Sequence, residues 1–580
     1  MTAPLVIVAT PGPLAERVGA VLGDAVVVDR PESLAAELAS RSVAGVVYLA
    51  QTRDPRGIAP DVGDAGRVSD LCAQGGVPHL VLVSSAAVHE PSAHHLNMLG
   101  EGRLAPRRTG NPLPERWQAL EATARERFGG DGRTLTVLRP SPVVTRGGRD
   151  FWSRLVSRRL AVTVPGYDPT LQLLSADDLA AAVARVTADG SSPAGGVFNV
   201  VPASNVPLHK AVRHAGALRL PVPFSLQWLA RKALSPLGLA APIEQIDFLR
   251  FPSTVSGERL RLDHGFEAAE TSARVAERAR IAERARIAEG ARRPQSEALG
   301  GDGSDPGPTY DPWGIDVPYI RLLGKTLFRF LHNVWWRIEV RGLHHLPREG
   351  GVVLTGVHRG FQPWDGVMAM HLIAKKLGRY IRFLVHPSLV KFPFLAPYMI
   401  RMGGMPACLD NGDWVLRRGD VLAIFPEGIR GAFRMYNDQV YELGKFGRDE
   451  FVRFALRHQV PIVPFVTIGS AEIYPIYGKI KWSWWKRVSE WPFLPVTPTL
   501  GTVPLPSKWH THFLEPIHVE REHPPEAAED RRLVRAISAE VRRRMDAALK
   551  DILARRRTRF AGRYRGNVWT PEERAEAATT

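Results

Sequence analysis

The stretch PLVIVATPGPLAERVG, residues 4–19, is a short apolar run followed by a turn with glycine and proline and then by helical spacing. Further short apolar runs follow, separated by stretches with helical spacing, and they lie at 25–30, 45–50, 79–85 and 135–140. Short buried strands that alternate with helices are typical of a parallel, doubly wound sheet. We therefore predict an α/β fold, with a first domain of this kind over residues 1–270.

Residues 271–310 interrupt this pattern. The segment 274–291, RVAERARIAERARIAEGA, repeats every six residues, a period that keeps no single helix face apolar, and a glycine-rich run follows at 301–308. We interpret 271–310 as a charged, low-complexity linker. A second α/β domain is predicted for 311–556, and 557–580 is predicted to be a flexible tail.

Composition and charge indicate a globular protein with an anionic partner. The 580 residues are 44% hydrophobic and 23% charged, as in globular proteins, and the formal charge of +17 indicates an anionic partner. Cys72 and Cys408 lie far apart with no metal-ligand spacing, so we expect neither a disulfide framework nor a metal site. Because no leader opens the chain and no apolar run is long enough to span a bilayer, we expect a cytoplasmic protein.

Two segments indicate a membrane as the anionic partner. Residues 319–340 are apolar on most of one helical face, and 479–495 combine basic residues with four tryptophans, namely Trp482, Trp484, Trp485 and Trp491. Indoles with basic neighbours suit a bilayer interface, although ordinary core packing explains either segment equally well. No helix-turn-helix, zinc-finger or RNA-recognition pattern is present, so we expect no nucleic acid partner. The prediction is peripheral association with the inner face of the cell membrane.

The first domain carries an ordered set of sequence blocks. After the turn at 8–19 come VLVSSAAVHE (81–90), LRPSPVVTRGG (138–148), LLSADDLAAAV (173–183) and GGVFNV (195–200). Together they resemble the extended short-chain dehydrogenase/reductase family, in its NAD-dependent epimerase-like branch. The resemblance implies a Rossmann-like domain with an NAD(P) site at Gly12, Asp29 and Ser85. Asp29 reads equally well as a solvated turn residue.

The chemistry of that family is missing from this domain. Its reaction needs a tyrosine whose proton is made labile by a lysine four positions later, and Trp117 and Glu121 stand in these places. No such pair exists under any alignment, because the first lysine of the chain is Lys210. Ala9 and Ala15 replace two glycines of the turn. We therefore expect a catalytically inactive domain that serves as a docking or regulatory module.

The loop TGVHRGFQPWDG, residues 355–366, follows a predicted strand at 351–356. Strand-end loops are where α/β proteins place their chemistry. His358 can act as a general base if a carboxylate hydrogen-bonds its other ring nitrogen, and Asp365 reaches it if the loop curls back. Taken alone, this spacing more often marks a plain loop.

Further blocks change this interpretation. IFPEGIRGAF (424–433) follows a second buried strand, VPIVPFVTIG (460–469) supplies a third, and together with the loop they resemble the glycerolipid and lysophospholipid acyltransferases. KFGRDEFVRFALRHQVPIVPF (445–465) and PLPSKWHTHFLEPI (504–517) resemble its branch related to monoacylglycerol and diacylglycerol acyltransferases. Six residues separate His from Asp where the commonest family form has four, and RMGGMPACLD (401–410) replaces an arginine-centred block. These departures leave the acceptor open.

The resemblance implies an O-acyltransferase and a role for each site residue, and the two segments described above place this enzyme at a membrane surface. His358 takes the proton of an acceptor hydroxyl, and Asp365 orients the imidazole. The residues implied to hold the acceptor are Arg359, Glu427, Gly428 and Arg430. The donor is acyl-CoA or acyl carrier protein, and no metal or redox cofactor is required.

Two other functions stay open at this point. In one alternative, the first domain is an NAD(P)-dependent epimerase or reductase with a lipid-handling partner domain. In the other, the whole chain is a non-catalytic lipid-binding scaffold. For the acyltransferase, the acceptor stays open among five alternatives, namely glycerol phosphate, a lysophospholipid, a monoacylglycerol, a long-chain alcohol and a glycolipid.

Overall fold

The structure, a computed structural model, consists of two compact units. One comprises Met1–Gly314 with Lys391–Pro397, and the other comprises Ile315–Val390 with Tyr398–Thr580. The residues that the structure describes are 4–52, 60–93, 95–104, 110–130, 132–148, 150–188, 195–226, 242–288, 306–386, 389, 391–437, 439–481 and 491–556.

The first unit is built on a six-stranded sheet. Its strands are β1 (Leu5–Val8), β2 (Val26–Val28), β3 (Gly45–Leu49), β4 (His79–Val83), β5 (Thr134–Pro140) and β6 (Gly196–Val200). Their order is β6-β5-β4-β3-β1-β2, and every neighbouring pair is parallel. The order reverses between β1 and β3, and such a reversal opens a crevice at the carboxyl ends of the strands.

Helices cover both faces of this sheet. They are α1 (Pro13–Leu22), α2 (Pro31–Ser40), α3 (Val62–Gln74), α4 (Pro112–Phe128), α5 (Phe151–Ser157), α6 (Ala176–Ala188), α7 (Leu208–His214), α8 (Glu258–His264) and α9 (Ser272–Ala288). Alternate strand residues point to opposite faces, so Val46 packs with α3 and α4 while its neighbour Val47 packs with α1 and α6. Burial on both faces confirms the predicted doubly wound α/β fold.

Helix α9 lies where the sequence predicted a charged spacer. It packs against α5 and α7 and buries Ala273, Ala276 and Ala279. The six-residue period has no broad apolar face, but small alanine side chains allow a helix to approach its neighbours closely, so this part of 271–310 belongs to the first unit. Residues 289–305 and the predicted tail at 557–580 lie outside the described residues.

The second unit has a seven-stranded sheet. Its strands are β7 (Glu339–Arg341), β8 (Val352–Gly356), β9 (Ile381–Val385), β10 (Gly404–Pro406), β11 (Val421–Ile424), β12 (Ile462–Ile468) and β13 (His510–Phe513). The order is β7-β13-β12-β8-β11-β9-β10, in which the five strands from β12 to β10 are parallel and β13 is antiparallel to β12. The predicted strands at 351–356, 421–428 and 460–469 correspond to β8, β11 and β12.

The helices of this part of the chain are α10 (Val317–Lys325), α11 (Leu327–Phe330), α12 (Trp364–Leu377), α13 (Leu395–Arg401), α14 (Leu409–Arg417), α15 (Ile429–Ala432), α16 (Glu450–His458), α17 (Val519–Glu522) and α18 (Arg531–Arg555). Helix α18 begins at Arg531 because the Asp530 side chain caps it by accepting the amides of Arg532 and Leu533. Among the described residues, no helix is long and apolar enough to cross a membrane.

Candidate active site

The structure brings His358 and Asp365 together at the carboxyl edge of the second sheet. The Nδ1 atom of His358 lies 2.8 Å from Oδ1 and 2.9 Å from Oδ2 of Asp365. A carboxylate only accepts hydrogen bonds, so Nδ1 is the donor, and in the neutral imidazole Nε2 keeps its lone pair. Within the described parts of the chain, Nε2 makes no hydrogen bond. The imidazole therefore has one nitrogen anchored and one available to a substrate.

Local backbone geometry holds the carboxylate in place. Asp365 is the second residue of α12 and is fully buried, and it also accepts the backbone amides of Arg359 and Gly366, each at 2.9 Å. The first turn of a helix favours a negative charge. Gly360 has φ of +90°, a conformation that favours glycine, and it lets the loop curl back toward α12.

A second strand-end loop lies beside this one. Strands β8 and β11 are neighbours with Thr355 paired to Ile424, so the residues that follow each strand meet at one edge. Nη1 of Arg359 donates to Oε2 of Glu427 at 2.5 Å, and it also donates to the carbonyl of His358 at 2.9 Å. Arg359 and Glu427 are both buried. This ion pair ties the two loops together.

The four residues predicted to hold an acceptor separate into two groups. Arg359 and Glu427 satisfy each other's charge inside the protein, whereas Gly428 and Arg430 are exposed. Gly428 has φ of +58° and no heavy atom within 4 Å of an added Cβ, so its surroundings are open. Arg430 makes no ion pair with any residue that the structure describes. An acceptor role for each of the four stays a prediction.

Sequence reasoning missed the segment 441–444, which contacts both loops. The carbonyl of Glu442 accepts a hydrogen bond from Nη2 of Arg359 at 3.0 Å, and the amide of Gly444 donates to Oε1 of Glu427 at 2.6 Å. These contacts use backbone atoms, and backbone atoms leave no residue-type signal in a sequence. Only the fold could reveal them.

An aromatic cluster lies beside the His358 loop. The ring of Phe361 is 6.3 Å from Phe433, 5.4 Å from Tyr474 and 6.0 Å from Trp491. The sequence analysis assigned Trp491 either to a membrane interface or to ordinary core packing. In the structure, its ring packs beside the candidate site. The other three tryptophans of that prediction, Trp482, Trp484 and Trp485, lie outside the described residues.

The first unit has a cavity of about 880 Å³ at the carboxyl ends of its strands. Gly12, Ser85 and Trp117 are part of its lining. Asp29 is half exposed beside Arg30 and is not among the described residues that line this cavity. The structure thus brings two of the three predicted cofactor-binding residues to one cavity.

The positions that the resemblance assigns to the catalytic lysine and tyrosine carry other side chains. Glu121 occupies the place of the required lysine, and its carboxylate accepts Nε and Nη2 of Arg139 at 2.9 and 2.7 Å and Oγ of Ser84 at 2.8 Å. Trp117, in place of the tyrosine, is buried and has no acidic proton. The described residues also contain no cluster of His, Cys, Asp and Glu suited to a metal ion.

A mostly parallel sheet with an anchored histidine at its carboxyl edge is the arrangement expected of an α/β enzyme domain. Residues 337–468 match the model of the Acyltransferase family. The uncharacterized protein Rv0502 of Mycobacterium tuberculosis is 33% identical over 260 residues, which are 43% of this chain and 72% of that protein. The chain belongs to the acyltransferase family, and it is an acyltransferase enzyme.

Two other similarities are more limited. The chloroplastic phytyl ester synthase 2 of Arabidopsis thaliana is 33% identical over 147 residues, 24% of this chain and 20% of that protein. A solved short-chain dehydrogenase/reductase superfamily protein from Agrobacterium tumefaciens with bound NAD is 18% identical, with a TM-score of 0.37 over 50% of this chain and 99% of that chain. The fold of the first unit therefore rests on its own strand order.

Proposed function

We propose that the chain moves a fatty acyl group from acyl-CoA or acyl carrier protein to a hydroxyl of a glycerolipid or lysophospholipid. One observation carries the proposal, namely the anchored His358 whose Nε2 atom is available at a strand-end edge. A histidine held in this way by a carboxylate has the correct tautomer for a general base. The family match supports the acyl-transfer chemistry.

The reaction needs only the side chains of the second unit. Nε2 of His358 accepts the proton of the acceptor hydroxyl while that oxygen attacks the thioester carbonyl and forms a C–O bond. The C–S bond then breaks, and the imidazolium returns its proton to the leaving thiolate. Asp365 holds Nδ1 throughout and stabilises the transient positive charge.

The acceptor is proposed to lie near Gly428 and Arg430. Arg430 offers a planar set of donors that matches a phosphate or carboxylate, and its exposure supports access by a ligand. Arg359 and Glu427 then do not contact the acceptor, and their ion pair fixes the positions of the two loops. Similarity to phytyl ester synthase 2 supports a long-chain alcohol as the alternative acceptor.

The second unit is proposed to work on the anionic inner face of the cell membrane. In the segment predicted to be amphipathic, Leu322, Phe330 and Val334 are exposed, at 60%, 47% and 60%. Basic side chains are exposed directly before the first two of them, at Arg321 and Arg329. Apolar side chains with neighbouring cations suit a membrane interface that carries negative charge.

The first unit is proposed to be a regulatory or docking module without turnover. The pairing of Glu121 with Arg139 supports this, because a carboxylate bound to its own arginine stands where a tyrosine base would need a cation. An NAD(P)-dependent epimerase or reductase is the second candidate, and the cavity beside Gly12 and Ser85 favours it. A nicotinamide fluorescence titration tests it, and the absence of binding would exclude it.

Lipid mass spectrometry tests the main proposal. Purified protein and the His358→Ala variant are incubated with a mixture of acyl-CoAs and a bacterial lipid extract, and then with acylated carrier protein. A new acylated lipid formed only by the unaltered protein is the expected result, and its mass identifies the acceptor. Identical products from both proteins, or no product with either donor, would contradict the proposal.

A further inference from the structure

One side chain of helix α18 connects this helix to the candidate active site. Helix α18 packs against β12 and buries Val541 and Met545. Arg542 lies at the edge of this buried face and is half buried. Its Nε atom donates to the carbonyl of Gly444 at 2.8 Å, and its Nη2 atom donates to the carbonyl of Leu443 at 2.8 Å. One guanidinium thus fixes two successive carbonyls of the segment 441–444.

A second arginine holds the start of the same segment. Arg556 directly follows α18, and its Nη1 atom donates to Oε1 of Glu472 at 2.6 Å. The other oxygen of Glu472 accepts the hydroxyl of Tyr441 at 2.5 Å. Burial and the Glu472 carboxylate raise the pKa of Tyr441, so its hydroxyl stays protonated and donates. The three side chains are all buried.

The segment that these arginines hold is the one that contacts both site loops. The carbonyl of Glu442 binds the guanidinium of Arg359, and the amide of Gly444 binds the carboxylate of Glu427. Arg359 in turn donates to the carbonyl of His358. The hydrogen bonds of Arg542 and of Arg359, joined by the backbone of the segment 441–444, therefore connect α18 to the carbonyl of the histidine.

We propose that Arg542 is a positioning residue for acyl transfer. It acts on His358 through the segment 441–444 and through Arg359, and it contacts no reacting atom itself. Without its guanidinium, water replaces the donor at two adjacent carbonyls, and the segment moves relative to both loops. The inference rests on the proposed function, because it assigns Arg542 to the reaction in which His358 is the base.

Arg542 offers a cleaner test than Arg556. Loss of Arg556 leaves the buried Glu472 carboxylate without its cation, and such changes destabilise a protein strongly. Arg543 provides the matched control, because it belongs to the same helix, is mostly exposed and pairs only with Glu540 among the described residues. The comparison of Arg542→Ala with Arg543→Ala therefore separates the positioning contact from a general effect of charge on α18.

The first readout is steady-state acyl transfer. Because a displacement of about 1 Å is enough to slow catalysis strongly, Arg542→Ala should lower kcat about tenfold or more with KM nearly unchanged. Arg542→Lys keeps donors for the two carbonyls and should recover most of kcat, and Arg543→Ala should match the unaltered protein. Equal kcat values for the two alanine variants would overturn the proposal, as would a failure of lysine to recover any activity.

The second readout is hydrogen exchange followed by mass spectrometry, which does not depend on a substrate. Arg542→Ala should speed exchange in peptides that contain 441–444 and the His358 loop and leave the rest of the sheet unchanged. Faster exchange over the whole unit would show a purely structural role and overturn the proposal. If the unaltered protein transfers no acyl group, the proposed function fails, while local exchange still decides whether Arg542 controls the His358 loop.

Discussion

The two units each place chemically capable side chains near the carboxyl ends of parallel strands, and the hydrogen-bond partners of these side chains differ. In the first unit, Glu121 lies near the carboxyl ends of parallel strands, and Arg139 and Ser84 occupy its oxygens. In the second, Asp365 occupies one nitrogen of His358 and leaves the other available. The fold therefore determines where reactive side chains can lie. Whether such a side chain can react depends on an atom that has no hydrogen-bond partner among the described residues, such as Nε2 of His358.

The comparison extends to a buried arginine–glutamate pair in each unit. Arg139 and Glu121 form it in the first unit, and Arg359 and Glu427 form it in the second. Both pairs hold strand-end segments in place. Among the described residues, only the second pair has an anchored histidine attached to it through the backbone, so we expect the same structural device to serve a reaction in the second unit alone.

After the loss of His358 itself, the largest expected effect comes from the anchor of the histidine. Asp365→Asn removes the charge that stabilises the imidazolium and lets the ring adopt the wrong tautomer. We expect a fall in kcat of roughly 10²-fold or more, in line with the typical contribution of a general base. Initial rates of acyl transfer measure the effect, and a variant with an unchanged rate would show that the pair is structural.

The next prediction separates the two buried ion pairs. Arg139→Met leaves the buried Glu121 carboxylate without its cation and should cost the first unit about 3 kcal/mol of stability. Arg359→Met should cost the second unit less, because Nη2 of Arg434 still lies 3.6 Å from Oε1 of Glu427. Only Arg359→Met should also slow acyl transfer by the molecules that remain folded. Denaturant unfolding and initial rates measure the two effects. Equal losses of rate in both variants would abolish the distinction between the units.

Acid should destabilise both units through buried histidines. Burial lowers the pKa of His79 and His95 to about 4 in the first unit and of His332 and His371 to about 4 in the second. The unfolded chain, with histidines near 6.5, binds more protons in this range, so stability falls as pH drops from 6.5 to 4.

Thermal unfolding at pH 7 and pH 5 checks this expectation. We expect Tm to be several degrees lower at pH 5. His371→Phe keeps an aromatic side chain in the second unit and removes one of the titrating groups, so it should lose less stability between the two pH values. A variant with the full pH dependence would exclude His371 as a source of the effect.

The smallest effect is expected at the exposed arginine. Arg430→Ala should leave Tm unchanged, because this side chain makes no ion pair within the described residues. If Arg430 binds an anionic acceptor, KM for that acceptor should rise about tenfold, the cost of one charged hydrogen bond. An unchanged KM would favour an uncharged acceptor such as a long-chain alcohol.

Much of the fold could be predicted from local pattern. The strand runs at 4–10 and 351–356 are short, apolar and followed by turn residues, and both are strands of the central sheets. The spacing of His358 and Asp365 also allowed their contact to be predicted, because seven positions with a glycine between them are enough for a loop to curl back.

Other features depended on tertiary packing. The helix at Ser272–Ala288 has no broad apolar face, so its burial could not be predicted from periodicity. Arg359 and Glu427 were predicted to hold a ligand, and nothing in their spacing indicated that they bind each other. The contacts of the segment 441–444 use carbonyls and amides that every residue possesses, and its arginine partner is about a hundred positions away in sequence.

The most direct test of the central claim is one rate comparison on the full chain. Initial rates of acyl transfer are measured for the unaltered protein, for His358→Ala in the second unit and for Glu121→Gln in the first. We predict that His358→Ala loses roughly 10³-fold in rate while Glu121→Gln stays within about twofold of the unaltered protein. A rate that survives the loss of His358, or one that falls equally in both variants, would contradict the account.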